Sequence, residues 1–274
     1  MLSSRDFDKK NCSVPQDGGG TYLHDAMFWS WYEPRNFGDW IGPYLYEAIS
    51  DRISRYCSVT AMQNQPCLLT VGSILRHVSY ADRAVVWGSG IISRNDVFSA
   101  PREIRAVRGP ETRRRCLELG FACPEVYGDP AILLPEYYKS DPGGRRKGLA
   151  IAPHFVDFER VSRAVPPDVR VIDVTMSVEA VIDALAGSEV VLSSSLHGLI
   201  VAHAYGTPAV WIRSGTPIAG DNVKFIDYFM SLGVDTEPLD VAVHDIGSLW
   251  AAAARASCPD VNPLRQRLQE VRPF

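Results

Sequence analysis

Short apolar runs that end in glycine or serine alternate along this chain with stretches whose apolar residues return every three to four positions. Residues 26–32 (AMFWSWY) form an aromatic run suited to a buried strand, followed by a turn-like stretch over 33–38. A helix is expected from about Asp39, with Ile41, Leu45, Ala48, Ile49 and Ile53 at helical spacing. Three further apolar runs each close on glycine: 68–71 before Gly72, 84–87 before Gly88 and Gly90, and 126–127 before Gly128. Small residues directly after parallel strands let backbone N–H groups approach a ligand at the carboxyl edge of a sheet, so Gly90 enters the candidate site. Residues 104–107 read as a strand and 110–119 as a helix, opened by Pro110 and stopped by Gly120.

A second series starts after the polar, turn-rich stretch 141–147. It comprises apolar runs at 149–152 and 169–174, a helix over 178–186 between Ser177 and Gly187, a strand at 190–192, a short apolar helix ending at Gly206, and a strand at 209–212. Val178, Val181, Ile182 and Leu185 fall on one helical face. Helical patterns at 224–232, 244–256 and 263–271 close the chain. Strand and helix alternate throughout, which predicts an α/β protein with parallel sheets covered on both faces.

A length of 274 residues favours two domains over one. The pattern divides the chain into a flexible leader over 1–20, an N-terminal domain over 21–142, a C-terminal domain over 143–256 and a C-terminal helix over 257–274. Composition adds exclusions. The 46% hydrophobic and 22% charged content is that of an ordinary globular protein. A net charge of −4 argues against a nucleic-acid partner. Six cysteines without CxxC or CxH spacing suggest neither a metal site nor a redox pair, and no carboxylate cluster suggests a metal. With no apolar stretch approaching the roughly 18 residues of a membrane span, and a charged first segment, the expected location is the cytosol.

Chemistry concentrates in residues 192–212. Ser193, Ser194, Ser195 and His197 lie between a buried strand and a helix too apolar to face water. Hydroxyls and an imidazole at a helix N-terminus suit a phosphate or carboxylate beside a titratable group. Alternatively, the serines cap the helix and His197 is structural. His154 follows the 149–152 strand at the same kind of edge, and Lys224 at the start of a helix can reach a phosphate. Six arginines crowd residues 102–115, and the planar fork of arginine suits dianions. Arg114 and Arg115 read as a solvated helix face and His203 as a core residue. Trp29, Trp31, Tyr32, Trp40 and Tyr44 offer either core packing or a surface on which a sugar ring stacks.

Residues 183–212, together with VRGPETRR at 107–114 and YGDPA at 127–131, resemble three landmarks of the polysaccharide pyruvyl transferase family. Asn36, Phe37, Gly38 and Asp39 resemble that family's Asn-x-Gly-Asp motif. The similarity runs from about residue 28 to 232 and is closest to the small ketal pyruvate transferases of bacterial exopolysaccharide synthesis. It implies a GT-B-like fold, two Rossmann-like domains facing each other across a cleft, with an acceptor-side N-terminal and a donor-side C-terminal half. It implies phosphoenolpyruvate as donor substrate, no cofactor, and a lipid-linked oligosaccharide or polysaccharide acceptor met by peripheral contact with the inner membrane face.

On that resemblance His197 is the first candidate for proton transfer or phosphate contact. Asp39 and Asp129 are candidate bases for an acceptor hydroxyl, or caps. Arg108 and Arg113 match the family motif and are assigned, with Asn36, to substrate binding. Arg108→Ala is then expected to abolish turnover with little change in the thermal midpoint. Two other functions fit the same residues: a GT-B-type glycosyltransferase or sugar-nucleotide enzyme, and a non-catalytic saccharide-binding subunit.

Overall fold

The computed structural model describes residues 26–28, 36–52, 54–56, 67–78, 83–140, 146–215 and 220–274. The expected leader over 1–20, the aromatic residues Trp29, Trp31 and Tyr32, and the domain boundary at 142/143 lie outside the described residues.

The chain is mixed α/β with two parallel sheets. The first sheet contains β1 (Ala26–Phe28), β2 (Arg55–Tyr56), β3 (Cys67–Leu69), β4 (Ala84–Trp87) and β5 (Glu103–Ala106), in the order β2-β1-β3-β4-β5. The second contains β6 (Leu149–Ala152), β7 (Arg170–Val171), β8 (Val190–Ser193), β9 (Ala209–Arg213) and β10 (Leu239–Asp240), in the order β10-β9-β8-β6-β7. Every strand pair is parallel. In each sheet the chain leaves a strand, pairs on one side, and returns to the other side. The resulting switch points lie between β1 and β3 and between β6 and β8. Ligands of open parallel sheets bind outside the carboxyl ends of strands at such points.

The helices explain what holds the two sheets together. Asn36 caps helix α1 (Phe37–Ser50) by accepting a hydrogen bond from Gly38 N at 3.2 Å, and Asp51, at φ 54°, ends it. Phe37, Ile41 and Leu45 share the buried face of α1. They belong to one continuous apolar cluster with residues 131–134 and with Val181, Ile182 and Leu185 of α5 (Val178–Ala186) and Leu199 and Ile200 of α6 (Leu196–Ala204). Phe37 N also donates to Val174 O, after β7, at 2.9 Å. The two sheets therefore meet through an apolar, hydrogen-bonded contact on this side.

Two segments cross between the halves. Helix α7 (Val223–Ser231) follows β9 in sequence but packs on α2 (Pro110–Glu118), beside the first sheet. Helix α9 (Asn262–Glu270) follows α8 (Ile246–Ala253) and returns to the first sheet, where Leu268 O accepts from Trp87 Nε1 at 3.0 Å and Phe274 meets the rings of Tyr46 and Trp87 edge-on. The 257–274 segment expected as a helix is thus a strap on the N-terminal half. Among the described residues no helix is long and apolar enough to cross a membrane.

Candidate functional site

Both switch points open onto the same place. After β8, Ser193 Oγ donates to Ala152 O at 2.8 Å and accepts from Ser195 N at 3.0 Å, which ties the loop to the end of β6. Ser194 Oγ accepts from His154 N at 3.0 Å, joining the loop after β6 to the loop after β8. Ser195 caps α6 through its hydroxyl, which accepts from Gly198 N at 3.4 Å. All three serines are buried. They shape the loop, as the capping alternative describes, and α6 is left with its first two amides, Leu196 N and His197 N, without acceptors among the described residues. Unpaired amides at the positive end of a helix form an anion site.

His197 projects from the first turn of α6 toward the first sheet. A methyl group on Gly38 would stand 2.2 Å from His197 Nδ1, so the N-terminus of α1 lies directly against the imidazole. Glycine at 38 is required by this approach. On the other side of the ring, Nε2 stands 3.4 Å from Asp129 Oδ2. That contact falls short of an aligned hydrogen bond, and neither atom has another hydrogen-bond partner among the described residues. Asp129 is fully buried and its second oxygen, Oδ1, accepts from Ala131 N at 3.0 Å. One carboxylate oxygen therefore caps a 3₁₀ turn over Pro130–Leu133, the alternative expected for it, and the other faces His197. His197 itself is 12% exposed, so its ring is reachable from one side.

Two further ionisable groups, His154 and Lys224, have shifted titrations and interact with each other. Burial, reinforced by the nearby Lys224 charge and opposed by Asp157, pushes the His154 imidazole down to about 4. It is neutral at pH 7, and its Nδ1 is buried without a hydrogen-bond partner among the described residues. Burial, and then the Arg108 charge, bring the Lys224 ammonium down to about 8 against the opposing pull of Asp39. The same shifts place Lys224 within electrostatic reach of Asp39, Arg108 and His154. Asn36, Asp39, Asp129, His154, Ser193, Ser194, Ser195, His197 and Lys224 are thus gathered around the two switch points.

Arg108, Gly90 and Arg113 are placed differently. Arg108 is fully buried, and its guanidinium donates to Asp227 Oδ2 at 3.1 Å, Ser73 Oγ at 2.6 Å and Ile91 O at 2.7 Å. A group with no exposed surface and protein partners on all three nitrogens does not reach a substrate. Gly90 makes room for that guanidinium and not for a ligand, since a methyl group there would stand 2.4 Å from Arg108 Cζ. Arg113 turns away to the far side of α2, where Nε donates to Cys123 O at 3.3 Å. His203 is buried, as read from its apolar helix, with Nδ1 2.9 Å from Tyr228 Oη.

Sequence reading missed Asp227, Thr112 and Gly38 as contributors. For Asp227 a signal exists: it is a lone carboxylate within Val223, Phe225, Tyr228 and Phe229, all buried. A charge in such company needs a buried partner.

Residues 83–216 match the profile of a family described as polysaccharide pyruvyl transferase. Over that span, just under half of the chain, the protein is similar to this family. The matched span carries Asp129, His154 and the 193–197 loop, and stops short of Lys224. The chain is also 28% identical over 215 residues to the uncharacterized protein L143 of Acanthamoeba polyphaga mimivirus, covering 74% of this chain and 72% of that protein. It is 28% identical over 235 residues to the succinoglycan biosynthesis protein ExoV of Rhizobium meliloti (strain 1021), covering 80% of this chain and 69% of that protein. The family match and the second likeness support transfer of a pyruvyl group to a polysaccharide.

Proposed function

We propose that this protein is a pyruvyl transferase that uses phosphoenolpyruvate to pyruvylate two hydroxyls of one sugar in a bacterial exopolysaccharide repeat unit, forming a cyclic ketal and releasing phosphate. The observation that carries the reading is the His197–Asp129 pair beside the two open amides of α6. Those amides and Lys224 offer positive charge for the phosphate and carboxylate of the donor.

In this reading His197, beside Asp129, delivers a proton to carbon 3 of the enol. Carbon 2 gains oxocarbenium character and is attacked by the first sugar hydroxyl. The carbon–oxygen bond to phosphate then breaks, and the second hydroxyl closes the ring. Of the two hydroxyl protons released, one replaces the proton spent on carbon 3 and the other leaves with phosphate, so the site needs no oxidant or reductant. Asp39, near Lys224, is placed to accept a hydroxyl proton. The two sheets correspond in this reading to the acceptor-side and donor-side halves of a GT-B-like arrangement, divided near residue 142. The acceptor is a lipid-linked oligosaccharide met at the cytosolic face of the membrane.

The test is incubation of the purified protein with phosphoenolpyruvate and a lipid-linked or synthetic hexoside acceptor. Phosphate release matched by an acceptor mass gain of one pyruvate less one water is the expected result. Consumption of a nucleotide sugar in place of phosphoenolpyruvate would transfer the site to glycosyl chemistry, and inactivity with both donors would favour a saccharide-binding role.

A further inference from the structure

Helix α7 carries Lys224 and is anchored to the first half at two points. At its start, Asp221 Oδ2 accepts from Arg94 N at 3.0 Å on the surface. One turn after Lys224, Asp227 is fully buried and uses both oxygens: Oδ2 accepts from Arg108 Nε and, at 2.6 Å, from Thr112 Oγ1, while Oδ1 accepts from Thr112 N at 3.0 Å. The fit is close on every side. A methyl group on Gly109 would stand 2.0 Å from Asp227 O, and one on Gly90 would strike Arg108. No hydrogen bond of this clamp reaches the α6 loop, yet the clamp fixes the helix from which Lys224 projects.

We propose that Asp227 is a positioning residue for the anion site: by clamping Arg108 and Thr112 it docks α7 and holds Lys224 in the neighbourhood of His154 and Asp39. The proposal rests on reading Lys224 as a ligand of the donor anion. The charged and titratable groups facing Lys224 are Arg108 from the β5–α2 junction, Asp39 from α1 and His154 from the loop after β6. Asp227 can act on that site through the helix it fixes or through the Arg108 charge it balances, and Thr112→Val, which leaves both charges in place, isolates the first. This separates positioning from general stability.

A double-mutant cycle makes the distinction. Asp227→Asn and Thr112→Val, each alone and each combined with Lys224→Met, are titrated with phosphoenolpyruvate and with inorganic phosphate by calorimetry. In parallel, the reactivity of Lys224 toward trace acetic anhydride is read by peptide mass spectrometry on the proteins that retain it. Each clamp variant is expected to weaken anion binding about tenfold when Lys224 is present, and less than twofold when it is already methionine. Lys224 labelling should rise at least threefold. Equal losses on both backgrounds, or labelling unchanged from wild type, overturns the proposal. Thr112→Val keeps the Arg108–Asp227 pair and decides the question where Asp227→Asn does not fold. Should the unmodified protein bind neither anion, the donor reading fails, and the labelling arm alone decides whether Asp227 governs the placement of Lys224.

Discussion

Replacing Arg108 with alanine tests most directly how this structure differs from the expectation drawn from motif position. A substrate-contacting arginine could be removed with little effect on stability, whereas a fully buried one paired to Asp227 cannot. The substitution strands the Asp227 carboxylate away from water. It also removes the donors to Ser73 Oγ and Ile91 O. Breaking a buried pair by deleting one partner costs about 3–5 kcal/mol. At about 2–4 °C per kcal/mol for a chain of this size, the thermal midpoint should fall by about 10 °C. The assay is thermal unfolding followed by circular dichroism at pH 7, with two comparisons. Arg113→Ala, which loses a single 3.3 Å hydrogen bond to a carbonyl, should cost less than about 1 kcal/mol. The double variant Arg108→Met with Asp227→Asn should recover about 2 kcal/mol relative to Arg108→Ala, because no charge is left stranded. A midpoint for Arg108→Ala within 2 °C of the unmodified protein (an effect below about 1 kcal/mol) refutes the burial argument and returns Arg108 to the ligand site.

Gly38→Ala places a methyl group 2.2 Å from His197 Nδ1 with Asp129 on the far side of the ring, so the imidazole must leave its present position; the protein should stay folded while phosphoenolpyruvate-dependent transfer falls about 100-fold, and kcat unchanged from the unmodified protein contradicts this geometry. Lys224 is a cation below its pKa of about 8, so anion affinity measured by calorimetry should decline as pH rises through 8; in Lys224→Arg, whose charge persists, that decline should vanish. His154 and His203 are held near 4 by burial, against about 6.5 in an unfolded chain. Between pH 4 and 6.5 the unfolded chain therefore binds more protons, and urea-derived stability should fall as pH drops through that window and level off above it. His203→Asn should remove one of the two contributions; an unaltered pH slope would show that His203 titrates normally.

The strongly periodic elements were legible before any contact was known. The strands at β4 and β6 and helix α5 begin and end where the apolar pattern does, and α7 and α9 are displaced by one residue. Weaker patterns misled. The apolar run at 169–174 pairs only over Arg170–Val171, and the run at 126–127 contributes a single bridge between Val107 and Tyr127. Helix α4 (Phe158–Ala164) went unread because a single side chain, Val161, faces the core, too little to set a helical period. Local pattern also placed His154, Ser193 and His197 at strand ends, where the structure has them. It could not rank the arginines, because what decides between Arg108 and Arg113 is a carboxylate 119 residues from the former. Motif position marked Arg108 as important, and only the fold separates importance from contact.

The same reasoning applies to the pairing of Gly38 with His197. Each residue lies in the first turn of a helix that follows a strand bordering a switch point, and strand order is not encoded in the period of either segment. Once β1 neighbours β3 and β6 neighbours β8, the N-termini of α1 and α6 emerge at adjacent positions, and one of them must lack a side chain for the imidazole to fit. The chain places glycine on the first-sheet side and histidine on the second. The titratable group therefore belongs to the loop with the open amides, and the first sheet supplies the wall that aims it at Asp129. Exchanging the two, as Gly38→His with His197→Gly, preserves the pair but moves the imidazole away from Leu196 N. Such a variant should fold with a midpoint near that of His197→Gly alone and remain inactive. Recovery of transfer by the exchange would mean that proximity of an imidazole to Asp129 suffices, and that the α6 N-terminus is not where the donor anion sits.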